Sequence, residues 1–267
     1  MNNKIAIGVL AYNVEDHIEK VLLDLVKFNL PIYVVNDASS DNTSKILMEL
    51  VEKTQIDLDV INNKSNLGAG ESTKILIKTA KSENFNFLIK VDGDGQFIKE
   101  DIKRIIKLAE STKYDFIKSN RFWEGGIRGN IPKVRFFGNL VATLFLQIIC
   151  GTNKLYDPLN GLFGVSLEIE EKLKDKNYPK RYGYPFFVTI TAIINGYRTY
   201  QINNTVNYEG QSSNLNSVRV FITIIKLSII FYVRKLKIKK NIGAYQRSAF
   251  FDILFLVFSF LSIFSLI

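Results

Sequence analysis

The sequence predicts an α/β fold: a mostly parallel sheet with helices on both faces, followed by an apolar and basic tail. Three observations carry that expectation. Short apolar runs alternate with longer, helically spaced stretches through the first 120 residues. Turn-forming residues gather where those runs end. Beyond residue 218 the composition changes again, to long apolar stretches and a cluster of cations.

The first run, KIAIGVL (4–10), leads into VEDHIEKVLLDLVKF, whose apolar positions recur three and four apart. PIYVVN (31–36) is followed by SDNTSKILMELVEK, and LDVINN (58–63) by GAGESTKILIKTAKS. FNFLIKV (85–91) precedes KEDIKRIIKLAE, and YDFIKS (114–119) closes the series. Each helical stretch has the length of one crossover between parallel strands. NRFWEGGIRGNIPKVR (120–135) is rich in glycine and cations and enters an apolar helix reaching Cys150. DPLNGLFGVS (157–166), a helix in GYPFFVTITAIINGY (183–197), a short strand RTYQI and a polar turn EGQSSN (209–214) complete the order.

With 267 residues the chain can bury a substantial core, and 47% hydrophobic residues argue against disorder. A single cysteine, Cys150, excludes an internal disulfide framework and suits a reducing compartment. The N-terminus, MNNKIAIGVL, runs directly into a strand and reads as no signal peptide. A formal net charge of +9 points to an acidic partner: a phosphate, a nucleic acid or an anionic membrane. Nucleic acid is disfavoured, because the cations cluster beside apolar tail residues rather than on a domain face.

VDGDGQF (91–97) resembles the start of a calcium loop. Counted from Asp92, however, Phe97 falls where an EF-hand needs glycine, and Lys103 where it needs glutamate. That class of site is excluded. The flanks put Asp92 and Asp94 at the carboxyl end of a strand and just before a helix, where open α/β sheets bind ligands.

In the tail, Arg219, Thr223, Lys226, Arg234 and Lys237 form one polar stripe on an otherwise apolar helix, the pattern of a helix lying in a membrane interface. Five cations within 234–240 suit an anionic cytoplasmic leaflet. The final ILFLVFSFLSIFSLI is marginal for a spanning helix of roughly 20 residues. Spanning, re-entering and packing on a neighbour all remain open readings. The expected division is a catalytic domain over 1–214, an interfacial helix and basic segment over 215–240, and a membrane-associated segment over 241–267.

AYN (11–13), VVNDASSDNT (34–43), NLGAG (66–70), DGDGQF (92–97), SNR (119–121) and DPLNGLF (157–163) resemble, in order and spacing, the motifs of family-2 inverting nucleotide-sugar glycosyltransferases of the GT-A fold. The last three, with the apolar tail, look most like the polyprenyl-phosphate branch, which includes the dolichyl-phosphate mannosyltransferases. The resemblance implies a nucleotide-sugar donor, a polyprenyl-phosphate lipid acceptor, and a catalytic domain at the cytoplasmic face of an anionic membrane. It also implies Mg2+ or Mn2+, held with the diphosphate by Asp92, Asp94 and Gln96. Hard oxygen ligands from one short loop fit that chemistry, since the leaving diphosphate gains negative charge.

Carried over on the same basis, Asp37 contacts the nucleotide base, with Ala11, Tyr12, Asn13, Val35, Gly68 and Gly93 lining the substrate. Gly68 and Gly70 are expected to let backbone approach the ligand, or simply to form the turn. Asp41 or Ser40 better suits an N-cap. The family's acidic residue after Asn13 is here Val14, with Glu15 one step late. Arg121 falls where the family's arginine meets phosphate, and Arg128 and Arg135 follow on the same loop. The family's lysine after the serine of EGQSSN is replaced by Ser213; either a phosphate contact is lost or Arg219 supplies it. His17 reads as a surface residue away from every motif.

A lipid phosphate needs cations and no base, whereas a hydroxyl acceptor needs a carboxylate. Asp157 and Glu124 are the base candidates in the second half, and Asp157 also resembles a structural residue. The balance favours the phosphate acceptor over a hydroxyl of a glycan or glycolipid. A catalytically inactive scaffold is disfavoured by the intact Asp92, Asp94 and Arg121. A nucleotidyltransferase is disfavoured because GVLAYNVED is no Gly-rich basic loop.

Overall fold

A computed structural model describes residues 3–53, 57–123, 125–128, 131, 133–152, 154–207 and 217–241. The expected alternation forms as β1 (Ile5–Ala11), α1 (Ile18–Val26), β2 (Ile32–Asn36), α2 (Thr43–Lys53), β3 (Leu58–Asn62), α3 (Ala69–Ser82), β4 (Phe87–Asp92), α4 (Lys99–Glu110) and β5 (Phe116–Asn120). The second half supplies β6 (Ile127–Arg128), α5 (Lys133–Cys150), β7 (Phe163–Ser166), a 3-10 helix (Leu167–Lys174), α6 (Tyr184–Ile194), β8 (Thr199–Asn203), β9 (Val206–Asn207) and α7 (Ser217–Asn241).

Seven strands make the main sheet, in the order β3-β2-β1-β4-β7-β5-β8. All pairs are parallel except those of β7, which runs antiparallel to both β4 and β5. The sequence marks FGVS only as the end of a turn motif, so this inserted strand is an addition to the expected parallel sheet. β6 and β9 form a separate two-stranded parallel pair.

Both sheet faces are covered, as the unbroken burial of β1, β2 and β5 requires. One face packs against α1, α2 and α4 through residues such as Ile18, Leu22, Leu47 and Ile105. The other packs against α3, α5, α6 and α7, with Leu76, Leu146, Phe186, Phe187 and Phe231 at its centre. The helix expected to stand apart as an interfacial segment is therefore docked along one side. Its Ile224, Leu227 and Phe231 are buried, and Phe231 lies 5.2 Å from the Phe187 ring.

Its other side is open. Ile222 and Ile229 are 60% and 59% exposed, with Val233 on the same stripe. Among the described residues, no helix is long and apolar enough to cross a membrane. The ILFLVFSFLSIFSLI segment and the EGQSSN turn lie outside the described residues.

Candidate active site

Parallel register brings the ends of β1, β2 and β4 side by side: Ala11 pairs with Asn36, and Leu10 with Asp92. Three turns meet there and lock one another. Asn13, at a positive φ of 51°, accepts a hydrogen bond from the Ser40 N–H (2.8 Å) through Oδ1, and its own N–H donates to Ser39 Oγ. Glu15 accepts from both the backbone and side-chain nitrogens of Asn42 (2.8 and 2.7 Å). The glutamate one step late thus ties the first turn to the second. Asp41 Oδ1 accepts from the Thr43 N–H at the start of α2, in the manner of an N-cap.

Asp37 is buried and binds the third turn. Its Oδ1 accepts from Asn63 Nδ2 (2.7 Å) and the Leu67 N–H (2.9 Å), and its Oδ2 from the Gly68 N–H (2.7 Å). Its carboxylate clamps the NLG loop while lining the large cavity at these strand ends. The glycines of that loop also face a neighbour within the chain. A Cβ on Gly68 would lie 2.4 Å from Arg181 Cγ, and one on Gly70 would lie 2.0 Å from the Pro179 carbonyl oxygen. They make room for the chain's own segment 179–181, which the Glu71 N–H grips through the Lys180 carbonyl (2.8 Å). Val35, expected to line the substrate, is not among the residues that line the cavity. Strand alternation turns its side chain into the core, fully buried and away from the cavity lining.

Asp92 ends β4 and Asp94 follows on the loop. Lys90, two residues back and fully buried, donates to Asp92 Oδ1 and sits over the Tyr184 ring. A Cβ at Gly161 would lie 2.1 Å from Asp92 Oδ2, so the glycine of DPLNGLF leaves room for that carboxylate. Gly161 carries no role at the level of sequence; its one signal there is its place in the motif. The Gln96 N–H donates to Asp94 Oδ1 (3.1 Å). Burial in the cavity wall and the negative charge of Asp92 push the Asp94 carboxyl up to about 7. Gly93 lies against the Leu10 carbonyl, to which its N–H donates (2.8 Å).

Two adjacent carboxylates, one of them raised by burial and by the charge of the other, form a site that a divalent cation relieves. Mg2+ and Mn2+ take one or two carboxylates with substrate phosphate oxygens, so Asp92, Asp94 and the Gln96 amide fit such an ion without a third acidic residue. Among the described residues, no group of three His, Cys, Asp or Glu side chains stands at metal-ligating distances.

Arg121 presents its fork to Asp157 rather than to open space. Nε donates to Oδ2 (2.8 Å), Nη2 to Oδ1 (3.0 Å), and the backbone N–H also reaches Oδ2. Asp157 is fully buried and accepts from Asn160 Nδ2 as well. The base candidate is thus the anchor of an arginine, and Glu124 lies outside the described residues. Beneath them Lys118, fully buried, donates to the Asn160 carbonyl; burial lowers its pKa to about 7.

A cavity of about 1050 Å³ unites these parts. Ala11, Tyr12, Asn13, Asp37, Gly68, Asp92, Gly93, Asp94 and Gln96 line it. So do the cations Arg121, Lys133 and Arg135, and Phe137, Val141, Val220, Phe221 and Ile224 of α5 and α7. Of these apolar side chains, Phe137 and Phe221 are also exposed at the surface. The side chain of Arg128 lies outside the described residues. His17, expected away from every motif, lines the cavity too: it starts α1 and faces Gly95 of the aspartate loop. Position in sequence concealed this, because the parallel pairing of β1 with β4 is what brings the turns together.

Residues 6–173 match the family described as glycosyl transferase family 2. An uncharacterized protein of Methanocaldococcus jannaschii is 28% identical over 83% of this chain and 96% of its own length. A UDP-N-acetylglucosamine–dolichyl-phosphate N-acetylglucosaminyltransferase of Methanococcus voltae is 28% identical over 64% of this chain and 73% of its own. Among solved structures, S. aureus TarS in complex with UDP-GlcNAc superposes with a TM-score of 0.59 at 19% identity, over 88% of this chain and 70% of that one. GalNAc-T7 with UDP, GalNAc and Mn2+ gives 0.55 at 13% identity, over 84% of this chain and 48% of that one. Both likenesses are of fold.

Proposed function

We propose, from the premise that this chain belongs to glycosyl transferase family 2 and is a nucleotide-sugar glycosyltransferase, that its acceptor is a polyprenyl phosphate presented at a cytoplasmic membrane face. One observation carries the reading. The cavity lined by the aspartates is also lined by the cations Arg121, Lys133 and Arg135 and by apolar side chains of α5 and α7, among them the exposed Phe137 and Phe221. A lipid phosphate has that combination of chemistries: an anion on an apolar chain. The Methanococcus voltae relative, whose name specifies dolichyl phosphate and UDP-N-acetylglucosamine, supports the same acceptor class and a first donor to try.

At the donor end, Tyr12 offers a half-exposed ring to the base, while Asp37 fixes the loop that walls it. Asp92, Asp94 and Gln96 would hold Mg2+ or Mn2+, which stabilises the charge developing on the leaving diphosphate. Lys90 keeps the Asp92 carboxylate in place from below. Arg135 and Lys133, with Arg121 held by Asp157, orient the acceptor phosphate. Its oxygen attacks the anomeric carbon opposite the diphosphate, whose oxygen departs with the bonding pair, so configuration inverts. The attacking phosphate is already ionised, and no proton need be removed.

The alternative, a hydroxyl acceptor, has one observation in its favour: the His17 imidazole lines the cavity beside the aspartate loop. Incubating the enzyme with radiolabelled UDP-GlcNAc or GDP-mannose, Mn2+ and polyprenyl phosphate tests the choice. Label should enter a solvent-extractable, acid-labile lipid. Label found only on glycan or glycolipid hydroxyls overturns the phosphate acceptor.

A further inference from the structure

A second, smaller cavity of about 410 Å³ lies between segment 176–182 and α7. Five cations line it, Lys176, Lys180, Arg181, Arg219 and Lys226, and among the described residues no carboxylate does. Asp175, the acid next along the chain, is already engaged: Oδ2 pairs with Arg234 (2.6 Å), and Oδ1 accepts from Asn177. Arg181 is held at the mouth by the Asn66 side chain and carbonyl. Like charges converge here on fixed backbone, since the Lys180 carbonyl is gripped by the Glu71 N–H and the Tyr178 hydroxyl donates to the Gly70 carbonyl. Such a preformed cationic hollow suits a phosphate group.

The helix that supplies two of the cations also decides which phosphate. Arg219 and Lys226 are seven apart and form one stripe of α7; Ile222, Ile229 and Val233 form the exposed stripe beside it. An apolar ridge bordered by cations matches the depth profile of a lipid leaflet, acyl chains below and phosphates at the rim. We propose that this hollow, which adjoins the catalytic cavity at Arg181 and Tyr182, is a headgroup site for an anionic phospholipid, and that it docks the enzyme on the bilayer. The inference rests on the membrane-facing reading above but not on the identity of the acceptor.

The test is sedimentation of the full chain with phosphatidylcholine vesicles, with and without about one-third phosphatidylglycerol. Lys180→Gln/Lys226→Gln should weaken binding to the anionic vesicles by roughly 25-fold, about fivefold for each cation, and leave the neutral vesicles and sugar-nucleotide hydrolysis unchanged. Lys103→Gln/Lys107→Gln, exposed on α4 across the sheet, should bind like wild type. Wild-type binding by the first double variant overturns the site, as does an equal loss in the α4 control. Saturable binding of inorganic phosphate, lost in Lys180→Gln/Lys226→Gln while vesicle binding persists, assigns the hollow to a soluble anion instead. A full chain that binds neither vesicle overturns the membrane reading as well.

Discussion

Arg121 and Asp157, 36 residues apart, are joined at three points: two guanidinium nitrogens and one backbone N–H converge on a single buried carboxylate. This pair sets the angle at which the loop after β5 meets the cavity. Asp157→Asn should therefore lower stability by about 3 kcal/mol, the cost of leaving a partly buried charge without its partner. Thermal melting gives that loss. The pH dependence of any residual activity should keep the wild-type shape. A profile that loses its acidic limb would make Asp157 a base and put the hydroxyl acceptor ahead of the phosphate.

Asp94 provides a prediction with a sign. Burial and the neighbouring Asp92 charge push its carboxyl up from the 3.8 of a free side chain to about 7 in the folded protein. Between those values the unfolded chain has lost a proton that the folded one keeps, so metal-free stability falls as pH rises through this window. Asp94→Asn should remove the fall. The variant should melt higher than wild type at pH 8 without metal, equal it near pH 3.5, and show no transfer. Mn2+ should raise the melting temperature of wild type only. A variant less stable than wild type at pH 8, or one that is active, overturns this account of the site.

At Gly161, one methyl group is enough. In Gly161→Ala the new Cβ would meet Asp92 Oδ2 at 2.1 Å and push the carboxylate from its place. Transfer should fall by at least a hundredfold, an ångström of misplacement being costly in a positioned site. Gly138, by contrast, lies inside α5, and a Cβ there would meet nothing within 4 Å. Gly138→Ala should keep the fold and stabilise it by about 0.5–1 kcal/mol. Parallel melting and transfer assays separate the two.

Arg135→Ala should damage transfer to lipid phosphate more than hydrolysis of the sugar nucleotide by water. A lost charge-assisted contact of about 1.5–3 kcal/mol corresponds to roughly ten- to a hundredfold. Arg121→Ala should act less selectively because it also frees Asp157. His17→Ala should leave lipid transfer within about threefold of wild type. If His17→Ala is inactive while Arg135→Ala works normally, the imidazole is the base for a hydroxyl acceptor.

Much of the fold was legible because its determinants are local. The runs of β1 to β5 and the helical spacing of α1 to α4 each declare themselves within a dozen residues. The antiparallel β7 did not, since four residues after a turn carry no sign of two distant partners. In the site, motif order marked the aspartates correctly as neighbours at a strand end. What the motifs could not reveal was which of their atoms the protein already uses. Val35 points inward by strand alternation alone. Gly68 and Gly70 make room for segment 179–181, and Arg121 faces Asp157; each depends on a residue far along the chain. His17 was missed for the same reason, since its place beside Gly95 follows from strand pairing and not from spacing.

The late arrival of β7 has a consequence during synthesis. β4 and β5 are made first, yet in the finished sheet they never touch: Phe163–Ser166 stands between them. Until that segment leaves the ribosome, β4 has one bare edge and β5 has no partner at all, because β8 comes later still. A nascent chain of about 150 residues carries three bare apolar strand edges, one on β4 and two on β5, the hazard that finished sheets take care to cover. Four residues then close two of them, and β8 closes the third. The enzyme's vulnerability to misassembly is thus concentrated in a brief interval of translation, and slowing elongation just before codon 163 should lengthen it.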